Sequence, residues 1–183
     1  MNDVQLNHYE TMNKMPEIES GLYLYLCGTT PENIGLIKRS ADAMGVKGIF
    51  YYDPNLTDGL ESNKKLQKAA RNSTVPIRYE KDIESLKQLK ERGYEIVALE
   101  ITKNSTPVRK KSWNTQTILV AGNEKNGVPQ EILDIADSAV HIEMIGKNIS
   151  SLNVAVATSI SINDYVCKLL ERQEKEQLFQ QEK

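Results

Sequence analysis

The stretch NISSLNVAVATSISINDY, Asn148 to Tyr165, decides the fold prediction for this chain. A polar turn leads directly into a segment of small and apolar residues. Several of them recur at the spacing of one helix face: Val154, Ala157, Thr158, Ser161, Ile162 and Tyr165. We predict a helix that begins near Ser151, with Ser150 or Ser151 as its N-cap, because a hydroxyl can accept from the free N–H groups of a first turn. The stretch is either a capped, buried helix or a turn that binds something small and polar.

Size and charge restrict the class of protein. With 183 residues, the chain is most simply one domain that buries about two-thirds of its unfolded surface. The net charge of −2 argues against general nucleic-acid binding by charge alone, but it is compatible with a local basic patch. The two cysteines, Cys27 and Cys167, form no C-x-x-C pair, so we predict no disulfide framework and no metal site. A reduced, cytoplasmic location fits best, and we predict neither a signal peptide nor a membrane span.

Apolar runs alternate with helical patterns along the chain. Strands are predicted at 21–27, 46–52, 75–79, 94–100, 117–121 and 139–142. Helices are predicted at 31–44, within 53–73, at 83–92 and at 129–136, before the long last helix. This alternation predicts an α/β fold with a mostly parallel sheet flanked by helices. Cys27, at the end of the first strand, is either a nucleophile or, as we favour, a small core residue.

Three separated segments carry a characteristic set of polar residues. The first is PENIGLIKRSADAMGV, residues 31–46. The second is ILVAGNEKNGVPQEILDIAD, residues 118–137, in which a strand leads through a glycine-containing loop to a helix that starts with proline. The third combines AVHIEMIG, residues 139–146, with SSLNVAVA, residues 150–157. In this order the segments resemble motifs 1, 2 and 3 of the SpoU branch of the SPOUT methyltransferases, over residues 22–170.

The resemblance implies a fold and an activity that composition does not. Members of that family thread their C-terminal part into a deep trefoil knot, which general chain rules never predict because knots are nearly absent from proteins. The knot binds S-adenosylmethionine, and the proteins act as homodimers that methylate ribose 2′-hydroxyls of tRNA or rRNA. We accordingly divide the chain into an arm or short helix at 1–20, a methyltransferase domain at 21–170 and a charged helical tail at 171–183.

Matching positions supply the expected site residues. The resemblance implies a polar, catalytic set, which is Asn33, Arg39, Glu124, Ser151 and Asn153. It also implies cofactor contacts through backbone groups and through apolar contact with adenine, at Leu99, Gly122, Ile142 and Leu152. Four of the five polar residues have a plainer alternative: a surface ion pair with Asp42 or Glu32 for Arg39, a structural role for Glu124, and helix capping for Ser151 and Asn153.

The chemistry fits this inventory. Methyl transfer to a hydroxyl is an in-line displacement at a sulfonium methyl group, so the protein must hold the 2′-oxygen about 3–3.5 Å from the methyl carbon. The family's reactive arginine corresponds to Arg39, but a guanidinium whose pKa exceeds about 12 is a poor base. We therefore expect Arg39 to fix the target phosphate and to stabilise negative charge that develops on the oxygen. A nearby RNA phosphate or water would take the proton.

Some features depart from the family pattern or stay open. Glu143 stands where the family usually has proline, and the loop at 145–150 is one residue longer than the common form. No added N-terminal RNA-recognition domain is evident. The basic residues at 64–71 and 103–111 are either solvated faces or phosphate contacts, and Trp113 either packs in the core or stacks on a base. The competing functions are a non-catalytic RNA-binding or RNA-assembly protein on the same scaffold and a small-molecule-binding α/β protein.

Overall fold

The computed structural model describes residues 20–56 and 59–181, in which strands and helices alternate. The predicted arm therefore lies outside the described residues, apart from Ser20. The strands are β1 (Gly21–Cys27), β2 (Gly48–Tyr52), β3 (Ile77–Glu80), β4 (Glu95–Leu99), β5 (Thr106–Pro107), β6 (Gln116–Ala121) and β7 (Ser138–His141). The helices are α1 (Pro31–Ala43), α2 (Lys64–Ala70), α3 (Glu84–Glu91), α4 (Gln130–Leu133) and α5 (Val154–Gln181), with a short 3-10 helix at Val108–Lys110.

The strands form one sheet in the order β3-β2-β1-β6-β4-β7-β5. Every pairing in it is parallel, which confirms the predicted α/β architecture. Because β6 is inserted between β1 and β4, strands that are distant in sequence become neighbours. The carboxyl ends of β4, β6 and β7 thus lie side by side at one end of the sheet, where open α/β proteins place their ligands.

Side chains of the strands alternate between two cores, one on each face of the sheet. Leu22, Leu24 and Leu26 of β1 face the core shared with α1, α2 and α5. Tyr25 and Cys27 face the core shared with α3 and α4. Burial leaves Cys27 2% exposed and raises the pKa of its thiol, so Cys27 is a neutral core residue and the nucleophile alternative is wrong.

Helix α1 begins and packs as its sequence predicts. The hydroxyl of Thr30 accepts from the backbone N–H of Asn33 at 3.3 Å and caps the first turn. The apolar residues Ile34, Ile37 and Ala41 are fully buried, and Met44 after the helix is half-buried. Gly35 lets α2 approach closely, because a Cβ there would lie 2.5 Å from the carbonyl oxygen of Leu66. Helix α2 is therefore fixed against the helix that carries the first motif.

Several elements differ from the sequence prediction. Helix α2 lies within the predicted 53–73 and ends before Arg71, which caps it at a φ of 53°, whereas α4 is shorter than the predicted 129–136. The polar stretch 102–115 contains β5 and the 3-10 helix, neither of which was predicted. Trp113 is 3% exposed, and its Nε1 donates to Asp164 at 2.9 Å. Trp113 is therefore a packing residue, and the base-stacking alternative is wrong.

Helix α5 begins later than predicted. The side-chain oxygen of Asn153 accepts from the backbone N–H groups of Ala155 at 2.8 Å and Val156 at 3.3 Å. Asn153 is thus the N-cap, and the prediction of Ser150 or Ser151 is wrong. The predicted helix face is buried at Val154, Thr158, Ser161, Ile162 and Tyr165, and Ala157 is half-buried.

The hydroxyl of Tyr165 joins α5 to the amino ends of β1 and β6. It donates to the carbonyl oxygen of Thr115 at 2.6 Å and accepts from the backbone N–H of Gly21 at 3.3 Å. Further along, α5 continues to Gln181 and is mostly exposed over 171–180. In the described part of the chain, the helices all fall short of the length or apolar character needed to cross a membrane. The knot implied by the family resemblance stays a prediction.

We expect Tyr165→Phe to lower the free energy of unfolding by about 1–3 kcal/mol, because two buried backbone groups lose their partner while the ring remains. Urea denaturation measures this change. Tyr23→Phe is the matched control, since Tyr23 is half-buried and its hydroxyl has no hydrogen bond to a described residue. Equal stabilities of the two variants would contradict the anchoring role of the Tyr165 hydroxyl.

Candidate active site

A cavity of about 700 Å³ lies at the carboxyl ends of β4, β6 and β7. Its lining residues come from four separated parts of the chain, within 99–102, 121–133, 141–144 and 151–157. Most of the site residues predicted from the sequence are among its lining: Leu99, Gly122, Glu124, Ile142, Ser151, Leu152 and Asn153. Asn33 contacts two of these residues from outside the lining, whereas Arg39 does not reach the cavity of its own chain.

Asn33 links the three motif segments. Its Nδ2 donates to Oε1 of Glu124 in the second segment and, over a longer distance, to Oγ1 of Thr29 at 3.4 Å. Its Oδ1 accepts from Asn153 Nδ2 at 3.1 Å in the third segment. Asn33 is only 7% exposed, so water competes little for these bonds. One amide thus connects α1, the loop after β6 and the start of α5.

The loop after β6 depends on a close backbone approach. A Cβ at Gly122 would overlap the backbone of Gly127 and Val128, so this position requires glycine. The backbone N–H of Gly127 donates to the carbonyl of Asn123 at 3.0 Å, and Gly127 itself has a φ of 64°. The loop therefore folds back on itself, which holds Glu124 beside the cavity.

Glu100 is a site residue that the sequence reasoning missed. Its Oε2 accepts from the backbone N–H of Val128 at 3.0 Å, and its Oε1 accepts from that of Ile101 at 2.8 Å. The carboxylate therefore ties the end of β4 to the loop after β6, and both segments line the cavity. Its only sequence signal was its position as the last residue of the predicted strand 94–100, which does not distinguish a clamp from a solvated acid.

The cavity combines apolar walls with polar groups. Leu99, Ile142 and Leu152 supply apolar surface, and the exposed fraction of Leu152 is 38%. Ser151 and Asn153 bring polar side chains to the same space. Also on the wall is His141, whose Nδ1 lies 3.0 Å from Ser105 Oγ. Such a mixture suits a ligand with a flat apolar ring system at one end and hydrogen-bonding groups at the other.

Among residues 20–56 and 59–181, no group of three or more His, Cys, Asp and Glu side chains is placed to hold a metal ion.

Arg39 projects from α1 as an exposed side chain. It lies six residues after Asn33, which places it about 9 Å further along the helix and about 120° around the axis. Within the described residues it forms no salt bridge, and the Asp42 carboxylate instead accepts from the backbone N–H of Thr74 at 2.5 Å. The surface ion pair considered for Arg39 is therefore not formed with Asp42 or Glu32.

The carboxylate of Glu143 does not line the cavity. Glu143 forms a bidentate ion pair with Arg109. Nε of Arg109 donates to Oε2 of Glu143, and Nη2 donates to Oε1 at 3.0 Å. Hydrogen bonds from the Arg109 guanidinium hold the pKa of this carboxyl below its usual value. The neighbours Ile142 and Met144 line the cavity, but Glu143 does not. Replacement of the family's proline thus leaves the cavity wall apolar at this point.

Comparison with known proteins places this geometry in a family. The model of the SpoU rRNA methylase family matches residues 22–163. A tRNA (guanosine(18)-2′-O)-methyltransferase of Aquifex aeolicus (strain VF5) is 35% identical over 130 residues, which are 70% of this chain and 60% of the relative. The chain thus matches somewhat more than half the length of this relative.

Solved structures agree in fold. The crystal structure of the A. aeolicus TrmH/SpoU tRNA modifying enzyme has 31% identity and a TM-score of 0.72, covering 85% of this chain and 78% of its own. The AdoMet-bound rRNA methyltransferase from Sinorhizobium meliloti has 27% identity and a TM-score of 0.71, covering 84% and 58%. With the sequence match extending from β1 into α5, the chain belongs to the SpoU rRNA methylase family.

Proposed function

We propose that this protein is an S-adenosylmethionine-dependent ribose 2′-O-methyltransferase that acts on tRNA or rRNA in the cytoplasm. The observation that carries the proposal is the meeting of three separated motif segments at one cavity, joined through the side chain of Asn33. The names of the relatives support the same reaction class. The proposal includes a methyltransferase domain at 21–170, a tail at 171–183 and the trefoil knot of the family.

The residues of the cavity fit S-adenosylmethionine. Leu99, Ile142 and Leu152 would contact the adenine ring, and the backbone at Gly122 would offer hydrogen-bonding groups to the cofactor's polar parts. When bound, S-adenosylmethionine supplies a sulfonium methyl group together with its own leaving group. The chain's task is then to exclude water, to orient the acceptor ribose and to stabilise charge on its oxygen.

The polar set would divide this task. Asn33 holds Glu124 and Asn153, so it would fix the geometry of the two loops rather than contact RNA itself. Ser151 is exposed on the cavity wall, where its hydroxyl would hydrogen bond to the acceptor ribose. Asn153 already caps α5 through its side-chain oxygen, so its capping and positioning roles are combined. A phosphate of the RNA or a water would accept the 2′-hydroxyl proton.

A homodimer would bring an arginine to the cavity. Arg39 shares the outer face of α1 with Leu36, which is 42% exposed. This part of α1 contacts α5 through Ser40 and Ser159, whose hydroxyl oxygens lie 2.9 Å apart. On the adjoining α5 surface, Val156 is 49% exposed and Ile160 is 40% exposed. We infer that a second copy covers this apolar surface and that the partner subunit's Arg39 enters the cavity.

We expect Gly122→Ala to weaken S-adenosylmethionine binding by at least about tenfold, because the added Cβ forces the loop after β6 away from its position. Isothermal titration calorimetry measures the affinity. Gly146→Ala is the matched control, since a Cβ at Gly146 meets no atom within 4 Å. If the parent protein binds no S-adenosylmethionine, the non-catalytic alternative replaces the proposal.

We expect Arg39→Ala to lower kcat for methylation by about 10²- to 10³-fold, the usual effect of removing one donor to a developing oxyanion. Transfer from labelled S-adenosylmethionine to RNA of a strain that lacks the protein measures kcat. Cofactor affinity should remain near that of the parent, because Arg39 does not line its own chain's cavity. Full activity of the variant would remove Arg39 from the mechanism.

A mixed dimer separates the two possible sources of the arginine. We expect a purified heterodimer of Arg39→Ala and Gly122→Val chains to recover about half of the parent activity, since one of its two sites is complete when the arginine comes from the partner. Each homodimeric variant should be nearly inactive. Differently tagged chains allow isolation of the heterodimer, and an inactive heterodimer would show that Arg39 acts within its own chain.

A further inference from the structure

A second, basic cleft lies between the segment that follows β5 and the last helix. Its volume is about 340 Å³, and the buried residue Trp113 is part of its lining. Six cationic side chains line it: Arg109, Lys110, Lys111, Lys168, Arg172 and Lys175. Glu171 is the one acidic residue of the lining. This concentration of positive charge contrasts with the chain's net charge of −2.

Three of the cations are paired with carboxylates. Arg109 pairs with Glu143, Lys111 with Glu95 and Lys168 with Asp164. Lys168 also donates to backbone carbonyls of the 3-10 segment, at 2.9 Å for Arg109 and 3.0 Å for Lys111. These bonds hold the segment against α5, so the cleft has a defined shape.

The other three cations have no carboxylate partner among the described residues. Arg172 donates to neutral oxygens only, at 2.7 Å to the carbonyl of Trp113 and 3.5 Å to Thr115 Oγ1. Lys110 and Lys175 are exposed and belong to no salt bridge within 20–56 and 59–181. Glu171 is the one carboxylate in the lining that could balance these three cations, so the cleft keeps a net positive charge after the other ion pairs are counted.

The spacing of the cations suits a charged polymer. Lys168, Arg172 and Lys175 follow each other at i, i+4 and i+7 on one helix face. The row is about 10 Å long, a distance over which one strand of a nucleic acid presents roughly three phosphates. A single small anion would occupy only part of it.

One end of the cleft is linked to the proposed active site through an ion pair. Arg109 lines the cleft, and its ion-pair partner Glu143 stands between two residues that line the larger cavity, Ile142 and Met144. Lys175 follows Asn153 by 22 positions, so about 33 Å of α5 separates it from the start of the helix at the cavity. An RNA that places a ribose in the larger cavity would therefore reach the cleft with phosphates several nucleotides away from that ribose. Phosphates positioned there orient the strand without reading its bases.

We propose that this cleft binds phosphodiester groups of the RNA substrate and so orients the strand toward the active site. The inference rests on the proposed function for the identity of the substrate. It assigns to Lys110, Arg172 and Lys175 a role that is distinct from methyl transfer, because none of them lines the larger cavity.

The test replaces two cleft lysines whose side chains are not needed for internal contacts. We expect Lys110→Gln with Lys175→Gln to weaken binding of fluorescein-labelled, unfractionated tRNA by at least about tenfold at 0.1 M salt. The slope of log affinity against log salt should become shallower by about 0.7–0.9 for each lost contact. Fluorescence anisotropy over a salt series measures both values, and S-adenosylmethionine binding should not change.

Lys81→Gln with Lys87→Gln is the matched control. Both lysines are exposed on the opposite face of the sheet, Lys81 just before α3 and Lys87 within it, so the net charge changes equally. The only salt bridge of Lys87 among the described residues is an exposed pair with Glu84 at 3.8 Å. If both double variants weaken tRNA binding equally, the effect comes from overall charge alone, and the assignment is overturned. Parent-like affinity of the cleft variant would overturn it too, as would full competition by inorganic phosphate at constant ionic strength, which would indicate a small-anion site.

The readouts separate this inference from the proposed function. If the parent binds tRNA through the cleft lysines but methylates no RNA, the cleft assignment stands and the methyltransferase proposal fails. If methylation occurs and the cleft variant keeps the parent KM for RNA and the parent salt slope, the methyltransferase proposal stands and the cleft assignment fails.

Discussion

The side-chain amide of Asn33 is the interaction on which the site depends. An amide can donate and accept at the same time, and here it donates to Glu124 and accepts from Asn153. Glu124 lies 91 positions and Asn153 lies 120 positions after Asn33 along the chain. An aspartate or a leucine at position 33 would lose at least one of the two bonds, and with it a direct link between these segments.

The sheet topology makes that bridge possible. Insertion of β6 beside β1 brings the loop that starts at Gly122 next to the loop that precedes α1. Gly122 and Gly127 then fold the loop tightly, and Glu100 holds it against the end of β4. Backbone geometry and a clamp from a neighbouring strand therefore prepare the cavity, whereas the residues proposed for catalysis occupy positions that this frame has already fixed.

Local patterns predicted most of the elements but not their arrangement. The strand at 21–27 and the buried face of α1 follow from apolar periodicity, which acts over a few residues. The start of α5 was misplaced because Ser150, Ser151 and Asn153 are all good caps, and propensity does not rank such neighbours. Strand β5 was missed because its two residues carry no period. The role of Glu100 as a clamp depends on contacts between distant segments, which one sequence does not reveal.

The short strand β5 has a consequence for self-association. It forms one margin of the sheet and contains Pro107, which has no N–H group to offer to an added strand. Strand-by-strand polymerisation, the usual hazard of an open sheet, is therefore blocked at this margin. Any association of copies on this side of the molecule would have to use side chains or helix surfaces, since Pro107 offers no backbone N–H for pairing.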